Sequence, residues 1–142
     1  MKVLVPFDGS NSSENAVKYV LNMAKAHKNM QVTVITVSNV ADAYYLSNVS
    51  PDAREFMDLY KEKAKENLEE LKKLFEKEGV PVETVFVESG DVAKVVIDTA
   101  KQGAFDRIVM GTRGLSKLKG IFLGSVSAKV IANVDIPVTL IK

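Results

Sequence analysis

The chain predicts a doubly wound, Rossmann-like α/β sandwich: a three-layer fold with five parallel strands in the order 3-2-1-4-5. Three observations carry that expectation. Five short apolar runs alternate with four stretches of helical periodicity, giving β-α-β-α-β-α-β-α-β. The first run is continuously apolar rather than alternating, as expected of a strand covered on both faces. Every connection is long enough for a right-handed crossover.

The first strand is Val3-Leu4-Val5-Pro6-Phe7, ended by the turn formers Asp8-Gly9-Ser10-Asn11. Asn11 with Glu14 suggests a capping box at the start of the first helix. Ala16, Val17, Val20, Leu21 and Ala24 then recur at helical spacing to about Lys28. Val32–Val37 is the second strand, rich in β-branched residues. Residues 38–51 lack periodicity and end at Ser50-Pro51-Asp52, a helix start with proline in the first turn. Met57, Tyr60, Ala64, Leu68, Leu71 and Phe75 step by three or four, so one buried face is expected along the whole helix. Glu and Lys fill its solvated face, and Gly79-Val80-Pro81 stops it. Val82–Val87 alternates as an edge strand would, and Gly90-Asp91 opens a helix with Val92, Val95, Val96, Thr99 and Ala100 inward. Phe105–Met110, Ser125–Asn133 and Ile136–Ile141 complete the alternation as strand, helix and strand.

With 142 residues, one domain spanning 1–142 is expected. The chain has no cysteine, which removes disulfides, thiol catalysis and thiolate metal sites. Its single histidine, His27, excludes a His-based metal site and a Ser/His/Asp triad. His27 falls near the end of the first helix, where a structural role suits the macrodipole. No targeting segment and no apolar run approaching the ~18 residues of a membrane span is visible. A cytoplasmic protein with no membrane partner is expected. The formal net charge is +1, against wholesale nucleic-acid coating, and no nucleic-acid partner is expected. The charge is unevenly spread, however: Arg107 through Val134 carries Arg107, Arg113, Lys117, Lys119 and Lys129 and no acid.

In such a sheet ligands bind beyond the carboxyl ends of the strands, where the winding reverses. The loop after the fourth strand stands out there. Gly111 and Gly114 let backbone amides approach a ligand, and Gly124-Ser125 opens a helix whose first amides suit an anion. Ser125 and Ser127 offer hydroxyls, and Arg113, Lys117 and Lys119 offer cations. The loop matches neither Walker A nor G-x-G-x-x-G. By pattern alone its glycines could simply make turns, and Asp8 could equally close an Asx-turn. Tyr44-Tyr45-Leu46 suits either a lid or loop packing.

Gly111-x2-Gly114-x9-Gly124-Ser resembles the ATP-binding signature of the universal stress protein family. Val3 to Ser10 is similar to that family's first strand and Asp-Gly-Ser turn, and Gly124 to Ser127 with Ile136-Pro137-Val138 to its closing segment. Three blocks agree in order and spacing along the whole chain. The resemblance implies that Gly111, Arg113, Gly114, Gly124, Ser125 and Val126 surround the ribose and phosphates. It implies Pro6 and Asp8 at the end of the first strand, with Asp8 reaching the ribose or serving as the metal ligand, and Val37 holding adenine through its backbone. Two departures stand outside the phosphate loop: Thr36 where the family commonly has histidine, and Ile136 where it often has a small residue or cysteine.

The expected function is an ATP-binding stress-response regulator, a nucleotide-dependent dimeric switch with little or no turnover. The cofactor expected is ATP or a related adenine nucleotide, with Mg2+ or Mn2+ as divalent ion, and no catalytic residue is assigned. The alternative is a slow divalent-metal-dependent ATPase or nucleotide-transfer enzyme using Asp8. A pure interaction module with a vestigial site is a third reading. A phosphorylated receiver domain fits poorly, because Val87-Glu88-Ser89 supplies no phosphorylatable aspartate. The apolar last strand, Ile136–Ile141, sits at a sheet edge and predicts a homodimer. A downstream protein partner, not identified by the residues, completes the switch.

Overall fold

Nine elements alternate along the chain: β1 (Lys2–Pro6), α1 (Asn11–Ala26), β2 (Gln31–Val37), α2 (Pro51–Lys77), β3 (Val82–Val87), α3 (Val92–Gln102), β4 (Arg107–Gly111), α4 (Ser125–Asn133) and β5 (Val138–Ile141). The computed structural model describes residues 1–38, 51–88, 90–114 and 123–142, with Pro51 described by its backbone alone. The strands form one parallel sheet in the order β3-β2-β1-β4-β5, as the sequence predicts. Val3 faces Val32 across the β1–β2 pair, and Met110 faces Leu140 across β4–β5.

Period-two alternation sorts the central strands between two cores. Val3, Val5, Val32 and Val34 pack with Val17 and Val20 of α1 and Leu68 and Phe75 of α2. Leu4, Ile35 and Ile108 turn the other way, toward Val96 and Ala100 of α3 and Val130 of α4. Val3, Leu4 and Val5 are each 0% exposed, because β1 lies mid-sheet with helices on both faces. All five positions read as the buried stripe of α1 are buried.

Three readings of the sequence are corrected. The cap of α1 is Ser10, whose hydroxyl accepts from the Ser13 amide at 3.3 Å, so the Asn11–Glu14 capping box does not form. Ser10 wins because it is the residue in extended conformation, with φ −73 and ψ 155. Helix α2 is buried on one face only in its second half. Leu68 and Phe75 are buried, whereas Tyr60 is 47% exposed and Phe56 70%. The cause is the sheet's extent: α2 packs against β3 and β2, and a 27-residue helix outruns the six residues of β3. The last two strands also begin later than expected, at Arg107 and Val138.

Helix α3 is capped by Asp91, which accepts from the Lys94 amide at 2.9 Å and pairs with the Lys129 ammonium of α4 at 3.2 Å. The amide of Lys94 first, and Lys129 second, hold its carboxyl below the usual aspartate range. His27 caps the end of α1 and is exposed, consistent with a structural place. Among the described residues no helix is long and apolar enough to cross a membrane.

Candidate functional site

The carboxyl ends of β1, β2 and β4 open into a cavity of about 510 Å³. All nine residues singled out from the sequence line it: Pro6, Asp8, Val37, Gly111, Arg113, Gly114, Gly124, Ser125 and Val126. The winding reverses between β1 and β4, so each strand sends its following loop outward from a shared crevice.

At the end of β1 the chain turns through Gly9, whose φ of +81° favours glycine. Asp8 closes that turn by accepting the Ser10 amide on Oδ1 at 3.0 Å. The Asx-turn and the cavity position are therefore compatible, because the second oxygen remains toward the loop after β4. A Cβ on Gly114 would fall 2.8 Å from Asp8 Oδ2, so glycine there leaves room for the carboxylate.

The loop after β4 is fastened at both ends by backbone and hydroxyl hydrogen bonds. The Thr112 amide donates to the Ile141 carbonyl at 2.8 Å, and the Gly124 amide to the Thr112 carbonyl at 2.7 Å. Ser127, 2% exposed, donates its hydroxyl to the carbonyls of Thr112 and Gly124, each at 3.0 Å. That hydroxyl fastens the backbone, a correction to its expected part as a ligand donor. On the other side Ser10, the cap of α1, and Ser12, in its first turn, both donate to the Arg113 carbonyl. Gly111 permits this approach: a Cβ there would collide with Ser12 Oγ and fall 2.8 Å from the Ser12 backbone carbon.

Helix α4 begins at Gly124 with no side-chain cap. Its first intrahelical bond runs from the Ala128 amide to the Gly124 carbonyl. The amides of Ser125, Val126 and Ser127 have no acceptor among the described residues, and those residues line the cavity. Three free amides and the helix dipole make this end a donor array for an anion. Among the described lining residues Asp8 is the one acid and Arg113 the one cation. Lys129 is engaged with Asp91, and Lys117, Lys119 and Tyr44-Tyr45-Leu46 lie outside the described residues.

The remaining wall is apolar. Phe7, Ile35, Met110 and Leu123 join Val37 and Val126, while α3 contributes Val92 and Val96. Tyr60 of α2 completes it. Ser12 and Tyr60 were not read as site residues from the sequence. The Ser10-Asn11-Ser12-Ser13 run held a signal for the first, since three hydroxyls cannot all be one cap. Tyr60 gave none, because its spacing is that of a core residue. At the Thr36 position, where the resembling family commonly has histidine, the hydroxyl donates to the Phe7 carbonyl at 2.9 Å and ties the ends of β1 and β2 together.

Comparison with known proteins agrees with this architecture. The model described as the Universal stress protein family matches residues 1–142. Universal stress protein MJ0531 of Methanocaldococcus jannaschii is 35% identical, over 99% of this chain and 81% of its own length. The solved structure of MJ0577, from the same organism, superposes with a TM-score of 0.84 at 30% identity, over 99% of this chain and 94% of that one. A universal stress protein solved in complex with cAMP superposes with a TM-score of 0.67 at 25% identity, over 100% and 96%.

Proposed function

The chain belongs to the universal stress protein family, and from that membership we propose that it binds an adenine nucleotide, ATP foremost, as a regulatory protein with little or no turnover. One observation carries the reading: the uncapped start of α4 and the Gly111–Gly114 backbone meet Asp8 and Arg113 around a cavity whose opposite wall is apolar. An anion with a flat, weakly polar end matches that division. The related protein in complex with cAMP supports the adenine nucleotide class. Gly111, Arg113, Gly114, Gly124, Ser125 and Val126 take the phosphates and ribose, Pro6 and Asp8 the ribose edge, and the Val37 backbone the base. Bound nucleotide stabilises one arrangement of the loop after β4 and so biases an encounter with a protein partner in the cytoplasm.

The donor set supports slow chemistry. Phosphoryl transfer needs a positioned metal and a group that orients the nucleophile. Among the described residues no group of three or more His, Cys, Asp or Glu side chains is placed to hold a metal. A Mg2+ or Mn2+ ion would arrive with the nucleotide and keep phosphate oxygens and water as ligands, Asp8 adding one carboxylate oxygen. The second reading, slow metal-dependent hydrolysis, rests on that same oxygen of Asp8 beside Gly114. Asp8→Ala separates the two: turnover lost with ATP still bound makes Asp8 catalytic, whereas joint loss makes it a binding residue. A mass spectrum of nucleotide released from purified, denatured protein tests the ligand. Finding none there, and no ATP binding at millimolar concentration in dialysis, refutes the reading. Sustained hydrolysis of several ATP per second refutes the switch.

The proposal includes a homodimer through β5, an edge strand by sheet order. The Pro137 and Ile141 carbonyls accept from β4 and the residue after it. Alternation along the strand therefore turns the backbone of Val138 and Leu140 to the free edge. Val138→Pro removes an outward amide without touching the β4 pairing and is expected to give monomer by light scattering. An unchanged dimer refutes this interface.

A further inference from the structure

We infer that Tyr60 is a base-recognition residue of the cavity, its ring stacking on a nucleobase held between α2 and α3; this rests on the nucleotide reading above. Tyr60 lines the cavity yet is 47% exposed, unlike Leu68 and Phe75 further along the same helix, at 4% and 0%. Its hydroxyl has no hydrogen bond among the described residues. Among the described residues the ring is thus neither core filling nor part of a polar network.

Its placement in the fold points to a stack. Helix α2 lies with α1 on one face of the sheet and packs on β3 and β2, while α3 lies with α4 on the other. Tyr60 therefore reaches the cavity from one face, and Val92 and Val96 reach it from the opposite face. Val37, closing β2, lies on the same side of the sheet order as α2. The amide array of α4 follows β4, on the far side of β1. Two strand spacings, about 10 Å, separate β2 from β4, a distance that suits a base at one end and phosphates at the other. A flat ring seated by Val37 is covered on one side by aliphatic side chains and on the other by Tyr60. Aromatic stacking is tolerant of base identity, since every base offers a π-face. Tyr60 accordingly adds affinity for a base as such and leaves the choice among bases to the backbone at Val37.

Calorimetric titration of the full chain with ATP tests this through three variants. Tyr60→Ala and Tyr60→Leu should each weaken binding ~5- to 150-fold, the loss that removing one base stack entails. Tyr60→Phe should stay within about twofold, because the phenyl face is retained. The exposed site should leave the melting temperature of the ligand-free protein unchanged in all three. Leucine fills space without a π-face, so wild-type affinity in Tyr60→Leu overturns the stack, as does wild-type affinity in Tyr60→Ala. A wild-type chain that binds no ATP overturns the nucleotide reading itself and takes this inference with it.

Discussion

Helices α1, α3 and α4 all begin at the rim of one cavity, and they begin differently. Ser10 caps α1 and Asp91 caps α3, each accepting a first-turn amide. Helix α4 starts on Gly124, which has no side chain to accept one, and the amides of Ser125, Val126 and Ser127 have no acceptor among the described residues. The capped ends are structural: Ser10 also holds the Arg113 carbonyl, and Asp91 ties α3 to Lys129 of α4. The uncapped end is held by backbone instead, through the Gly124 amide and the buried Ser127 hydroxyl on the Thr112 carbonyl. A protein that needed α4 only for stability would gain from a side-chain cap in place of glycine there, by roughly a few tenths of a kcal/mol. Leaving the end open keeps its donors for something else, and fastening it by the backbone keeps them in place.

The sharpest way to break this contrast is to make α4 begin like α3. Gly124→Asp places a carboxylate over the free amides, and about 3 kcal/mol of lost donors and added repulsion lowers ATP affinity roughly 100-fold by calorimetry. The added cap is offset by a tight Cβ contact, 3.3 Å from the Arg113 Cα, so the melting temperature should stay near that of wild type. Unaltered affinity would show that the α4 amides do not meet the ligand.

Next in size is Gly111→Ala, which presses on the capped start of α1 instead. The new methyl group meets the Ser12 backbone carbon, which can move only with the helix. Chemical denaturation should show a loss of about 1–3 kcal/mol, the usual range for overpacking. Full stability would mean that the α1 turn yields freely. Ser10→Ala then removes a cap and one of two hydroxyls on the Arg113 carbonyl, and about 1 kcal/mol of stability is expected to go with it.

The smallest effect lies at α3, and pH reveals it. The Asp91 carboxyl is held below its ordinary value of 3.8, so it binds protons more weakly folded than unfolded. Its charge-dependent contribution is present above 3.8 and disappears as pH falls through the lowered value. Asparagine still caps a helix but carries no charge. Melting curves of wild type and Asp91→Asn should differ slightly at neutral pH and converge in acid. A gap of constant size across that range would assign the effect to shape rather than charge.

Much of the architecture was legible because burial period reports strand and helix directly. The buried stripe of α1 came from apolar spacing, the strand order from the doubly wound class that the alternation implies, and the residues gathered at the cavity from the resemblance to the universal stress protein family. Tyr60 shows where that reasoning stops. Its spacing on α2 is the same as that of Leu68 and Phe75, but the sheet ends before it does. Ser127 shows a second limit, since a hydroxyl's composition says what it can donate and not which carbonyl receives it.

The sequence by itself determined the alternation of elements and the parallel sheet, because those follow from local periodicity and chain connectivity, and its resemblance to the universal stress protein family named nine of the residues that line the cavity. Only the tertiary structure decided which hydroxyls fasten the loop and which aromatic side chain faces the cavity. Those outcomes depend on what packs opposite each residue, and that neighbour is supplied by a segment tens of residues away.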